Sequence, residues 1–154
     1  MDILAHFLWT FGIFFKEKRV WLFGLVGILP DLISFGPHFV YSLATLGFKF
    51  GKPNINSIPS YIYTLYNLTH SFIIFSLSII LAYILFKKYA IFLLPWGIHI
   101  LIDIPSHSKA FFPTPFLWPI SNFTINGISW GTPWFMITNY SLLLLFFIFR
   151  FLKR

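Results

Sequence analysis

Long apolar runs, each closed by a short basic cluster or a proline, constrain this chain to one kind of fold: a bundle of membrane-embedded helices. The runs cover residues 2–15, 20–34, 67–86, 89–104 and 134–149. Basic groups stand at Lys16, Lys18 and Arg19, at Lys87 and Lys88, and at Arg150, Lys153 and Arg154. Helices that cross a bilayer need ~20 mostly apolar residues. Only 10% of the residues are charged and 58% are hydrophobic, with 22 phenylalanines, whereas a soluble domain is ~25% charged. A soluble globule of this composition lacks the polar surface to stay dispersed. The expected fold class is all-α, a single membrane-embedded domain over residues 1–154 forming a transmembrane bundle of about five spans.

Between the runs the chain is punctuated. Pro30 is expected to end the second run and present Asp31 at the break. Residues 35–66 are mixed, with a short helix near 38–48 followed by an irregular loop. A second loop, residues 105–133, carries Pro113, Pro115, Pro119, Gly127, Gly131 and Pro133. Cysteine is absent, which excludes disulfides, thiolate metal sites and cysteine nucleophiles. The first lysine comes at position 16, so no cleavable signal peptide is expected. The net charge of +7 comes from residues at the ends of apolar runs, which makes it a topology signal and not a nucleic-acid patch. The abundant Phe and Trp are lipid-facing bulk and interfacial belt.

The positive-inside rule orients the bundle. Placing 16–19, 87–88 and 150–154 in the cytoplasm puts eight basic residues inside and leaves Lys49, Lys52 and Lys109 outside. The N-terminus is then outside and the C-terminus inside. His6, Asp31, His70, His99 and Asp103 all fall in one layer near the extracytoplasmic face, although the charge count does not demand it. An ionisable group in such a run is costly and usually has a partner or faces a polar cavity. Imidazoles and carboxylates together are a ligand set for zinc or a similar divalent ion. His99 and Asp103 are four apart and share a helix face. Pro105 is expected to stop that helix and let His107 turn back toward the same mouth. Asp2 and His6 repeat the four-residue spacing, so Asp2 is a ligand or an orienting group. A single His near an interface is more often bonded to backbone or water than to a metal. His38, beside Pro37, fits that plainer description.

The order Met1-Asp2-x-x-x-His6, Leu29-Pro30-Asp31, Thr69-His70-Ser71 and His99-x-x-x-Asp103 resembles the membrane-bound metal-dependent hydrolases. This group of small multi-span proteins is distantly similar to zinc phospholipase C and its nuclease relatives. The segment from Asp103 through His107 and Lys109 to Phe116 looks like that family's loop. Where many members carry Thr before the first His, this chain has Ala5. The resemblance implies His6, His70, His99 and Asp103 as metal ligands, and Asp31 as a ligand or general base. Only His107 and Asp2 are left to extend the set, so one or two zinc ions are expected rather than three.

The implied chemistry is hydrolysis by a metal-activated water. Asp31 takes the proton, and a second ion, Lys109 or the Ser71 hydroxyl stabilises developing charge. The substrate expected is a phosphodiester or other ester of a membrane lipid or lipid-linked molecule. Two rival classes stand beside this one. A metal-ion or proton transporter would usually place its site at the midplane and show repeat symmetry. A non-catalytic scaffold would use the polar residues only to join helices.

Overall fold

A computed structural model describes residues 1–47 and 55–152. Lys49, Lys52, Lys153 and Arg154, which enter the charge count, lie outside the described residues, as do residues 49–54 of the irregular loop expected after residue 48. The rest of that stretch is not irregular but a 3-10 turn at Ile55–Ser57 followed by a helix at Ser60–Thr69. Among the described residues the chain is all-helical: α1 (Ile3–Ile13), α2 (Val20–Leu46), α3 (Ser60–Thr69), α4 (Phe72–Phe86), α5 (Leu94–Ser106) and α6 (Pro133–Leu152). Two 3-10 segments, Ile55–Ser57 and Lys87–Leu93, join them.

Asp2 caps α1, its carboxylate accepting from the Ala5 amide at 3.0 Å and from the Tyr140 hydroxyl at 2.7 Å. The α2 helix corrects the expectation that Pro30 ends a span. It runs 27 residues with Pro30 and Pro37 inside it, and the short helix expected at 38–48 is its far end. Proline removes one intrahelical hydrogen bond but has a helical φ. The buried positions Phe23, Gly24, Gly27, Pro30, Asp31 and Ser34 stay on one face straight through the proline. Packing of that face holds the helix together.

The expected single span at 67–86 is also corrected. The helix breaks at His70, which closes α3 with φ −109° and ψ 20°. Ser71 then opens α4, its hydroxyl accepting from the amides of Ile73 and Ile74 at 3.1 and 3.2 Å. A serine cap inside an apolar run competes with helix continuation. Here it turns the His70 ring toward the bundle interior. The α5 helix stops at Ser106, one residue past Pro105.

Phe14 stacks on Phe23 at 4.4 Å, which makes α1 and α2 antiparallel neighbours. Phe23 also meets Phe92 at 5.0 Å, while His99 reaches the Gly27 carbonyl, so α5 runs parallel to α2. Tyr140 joins α6 to Asp2, and Arg150 reaches the Ile13 carbonyl at 3.5 Å, so α6 runs parallel to α1. The chain reverses at Lys87, where φ is 51°. That turn folds α4 back along α5, with Phe75 against Trp96 at 5.6 Å. Five legs thus stand side by side: α1, the first half of α2, α4, α5 and α6.

By length and composition three stretches can cross a membrane: Val20–Thr45, Phe72–Ser106 and Pro133–Leu152. The second is a hairpin and not a rod, because His70 and His99, near its two ends, touch. Polarity is inverted relative to a soluble protein. His6, Thr10, Ser34, His70, His99 and Asp103 are wholly buried, while Leu77, Ile80, Leu81 and Ile84 of α4 face outward. No residue of α4 is buried. Such a surface suits a hydrocarbon solvent.

Candidate metal centre

Asp31 of α2, His70 between α3 and α4, and His99 and Asp103 of α5 meet in the interior. One ligand atom from each lies within 4.8 Å of the others. His99 Nε2 is 3.0 Å from His70 Nε2 and 3.1 Å from Asp103 Oδ2. His70 Nε2 is 3.3 Å from Asp103 Oδ2 and 3.5 Å from Asp31 Oδ1. Asp31 Oδ1 lies 3.8 Å from His99 Nε2. Donors arranged tetrahedrally at zinc bond lengths are ~3.4 Å apart. The buried group can therefore bind a metal ion.

The outer nitrogens of the two imidazoles strengthen this conclusion. His99 Nδ1 donates to the Gly27 carbonyl at 2.7 Å. His70 Nδ1 lies 2.9 Å from Thr69 Oγ1 and 3.2 Å from the Tyr66 carbonyl. The Thr69 hydroxyl donates to the Leu65 carbonyl at 2.9 Å, so His70 is the donor in its own pair. Both imidazoles thus carry the proton on Nδ1 when neutral, a tautomer assigned from partners. Both then aim a lone pair from Nε2 into the same space as two carboxylates. Asp103 Oδ2 there has no hydrogen-bond donor. With both imidazoles neutral, four such converging acceptors can hold a cation between them.

Asp103 has a second side. Its Oδ1 is 2.9 Å from His6 Nε2 and 3.3 Å from His107 Nε2. The α-amino group of Met1 reaches the same oxygen and lies 2.8 Å from His107 Nε2. His6 stacks on His99 with ring centroids 3.8 Å apart, and its Nδ1 is buried without a partner. His107 Nδ1 donates to the Phe112 carbonyl at 2.7 Å. The Tyr66 hydroxyl donates to that carbonyl as well, at 2.9 Å. Burial and the nearby charge of Asp103 push this phenol well above its ordinary pKa, so it remains a donor.

The structure thus gathers all six residues expected as ligands, but in two groups. Asp31, His70, His99 and Asp103 share one centre, and His6 and His107 approach Asp103 from its other oxygen. The remaining candidates stand apart. The Ser71 hydroxyl caps α4 and donates to the Trp118 carbonyl, so it is committed to structure. Lys109 is exposed, and its backbone amide binds Asn126 Oδ1 at 2.8 Å. Asp2 is a helix cap tied to Tyr140. His38 lies 3.5 Å from Ser42 and outside the cluster.

Sequence reasoning missed the residues that orient the imidazoles. Tyr66 is one helical turn before His70, a spacing that could have flagged it. The Gly27 carbonyl carries no side-chain signal at all. Any Cβ at Gly27 would collide with Thr10, so glycine permits the close approach of α1 there. Comparisons with family models, curated proteins and solved structures returned no match to this chain.

Proposed function

We propose that this chain is a membrane-embedded, metal-dependent hydrolase acting on an ester, most simply a phosphodiester, of a lipid or lipid-linked molecule. The observation that carries the reading is the pair of Nε2 lone pairs facing each other at 3.0 Å beside two carboxylates. Hydrogen-bonding between helices needs donors matched to acceptors, and with both imidazoles neutral this centre has only acceptors pointing inward. That favours a cation site over a scaffold.

Asp31, His70, His99 and Asp103 would hold one ion. Asp103 Oδ1, His6 and His107 surround a second place where a cationic group, the Met1 amine, lies. A divalent ion in the first place, with zinc the usual choice for nitrogen and carboxylate donors, supplies Lewis acidity and a more acidic water. The chain's own residues complete the chemistry. Asp31 has the longest distances to the imidazoles and keeps 7% exposure, so it is positioned to accept a proton from incoming water. Asp103 and the two imidazoles are wholly buried and hold the centre rigid. In a bilayer, the basic ends of the five legs face the cytoplasm, and the cluster lies in the extracytoplasmic half.

The test is elemental analysis of detergent-purified protein, followed by chelation and assay on a phosphodiester panel including phosphatidylcholine. About one or two zinc ions per chain are expected, with hydrolysis lost on chelation and restored by zinc. Protein that holds no divalent ion would return the scaffold reading. A metal-loaded protein that hydrolyses nothing but passes the ion across vesicles would make it a transporter.

A further inference from the structure

The loop between α5 and α6 is charged at its start and nowhere after. From Ala110 to Phe149 the sequence contains no Asp, Glu, Lys, Arg or His. The second half of that stretch is α6, for which lipid is the evident reason. The first half is irregular chain, which in water would normally be polar. Instead its outermost side chains are apolar: Ile120 is 77% exposed and Phe123 59%, with Ile125 and Ile128 also open.

The loop is fixed in place at its base. The Gly127 amide donates to the His107 carbonyl, the Ile128 amide to Pro105 and the Trp130 amide to Ser106, at 2.8, 2.8 and 3.0 Å. A Cβ on Gly127 would run into the backbone at Pro105 and His107, so this approach requires glycine. At its other edge the Phe116 carbonyl accepts from the Phe72 amide at 2.9 Å. The apolar tip is thus held outward by a rigid base instead of collapsing onto the core.

Helix lengths locate that tip. Val20 to Asp31 spans roughly 17 Å at 1.5 Å per residue. Tyr140, level with Asp2, stands about 18 Å above the end of α6 by the same measure. Pro133, where α6 begins, is another ~10 Å up, close to the ~30 Å thickness of a hydrocarbon core. The loop therefore meets the boundary between acyl chains and head groups, not bulk water. Trp118 and Trp130 lie on the loop and Trp134 just beyond it, the residue type enriched at that boundary.

We infer that residues 110–132 form an interfacial platform, with Ile120 and Phe123 dipping into the acyl boundary of the extracytoplasmic leaflet. The occupant of this apolar surface is lipid. The inference rests on the membrane placement of the bundle and is independent of the chemistry at the metal centre. A cysteine-free chain allows single-site nitroxide labelling at I120C, F123C, K109C and L144C. The labelled proteins are reconstituted in phosphatidylcholine vesicles and relaxed with oxygen, which favours lipid, or with a nickel chelate, which favours water.

Oxygen should dominate at 120 and 123, as at lipid-facing 144, and nickel at 109. Nickel dominance at both 120 and 123, with oxygen dominance at 144, would overturn the platform and leave the membrane reading intact. Nickel dominance at 144 as well would remove both. Labels at 120 and 123 shielded from both reagents would mean that protein covers the tip, which also overturns the inference. Both tip residues are exposed, so either variant alone carries the test if the other fails to fold.

Discussion

Asp103 is the residue on which both halves of the cluster depend, since one oxygen faces His70 and His99 and the other faces His6 and His107. Asp103→Asn and His99→Ala should each lose bound metal, because each removes a donor from a four-membered set. Asp31→Asn, at the longest distances in the set and with an amide oxygen still able to bind, should weaken metal binding least while losing most hydrolysis, since the amide cannot accept a proton. Elemental analysis and rate on the same preparations separate these cases, and equal metal loss in all three would make Asp31 a ligand. His6→Ala leaves the four-residue centre standing but removes a neighbour of Asp103, so metal affinity should fall by about 10–100-fold, read by competition with a chelating dye. The His99–Asp103 pair was legible because four residues is one helical turn. The partner that fixes the His99 tautomer was not, since Gly27 lies 72 residues away in sequence and contributes only a carbonyl.

At the scale of elements, the break at His70 matters more than any one helix. Ser71→Ala deletes the cap that opens α4 and should cost about 1 kcal/mol, together with a loss of metal affinity as His70 shifts. Thermal unfolding in detergent with and without added zinc measures both effects, and an unchanged zinc affinity would show that the cap does not position the imidazole. Gly127→Ala forces a side chain into backbone and should destabilise by about 1–3 kcal/mol. Hydropathy alone hid the break, because Thr69, His70 and Ser71 sit at the start of an apolar run and the cap acts through hydrogen bonds that periodicity does not register. The continuity of α2 was hidden for the opposite reason. Pro30 looked like a terminator, yet buried positions on either side of it fall on one face. Packing of that face outweighs the loss of a single hydrogen bond.

For the whole molecule, the five legs agree with the alternating apolar runs read from sequence, and the polar residues do converge at one level. What the runs did not convey is that several legs are short. Ile3–Ile13 has 11 residues and Leu94–Ser106 has 13, roughly 16 and 20 Å of helix against a ~30 Å hydrocarbon core. On the proposed membrane placement, a first leg as short as α1 sets the centre within the bilayer thickness beneath the α5–α6 loop. We propose the sidedness from charge: Lys16, Lys18, Arg19, Lys87, Lys88 and Arg150 stand at one end of the bundle, and Lys109 stands at the other. Cytoplasmic retention of basic ends predicts that K109C reacts with a membrane-impermeant maleimide in intact cells, while K88C reacts only after permeabilisation. The reverse pattern would invert the bundle and put the metal centre in the cytoplasmic half. Reaction of both in intact cells would place the turn and the open end of the α4–α5 hairpin on the same side, and neither leg could then be a span.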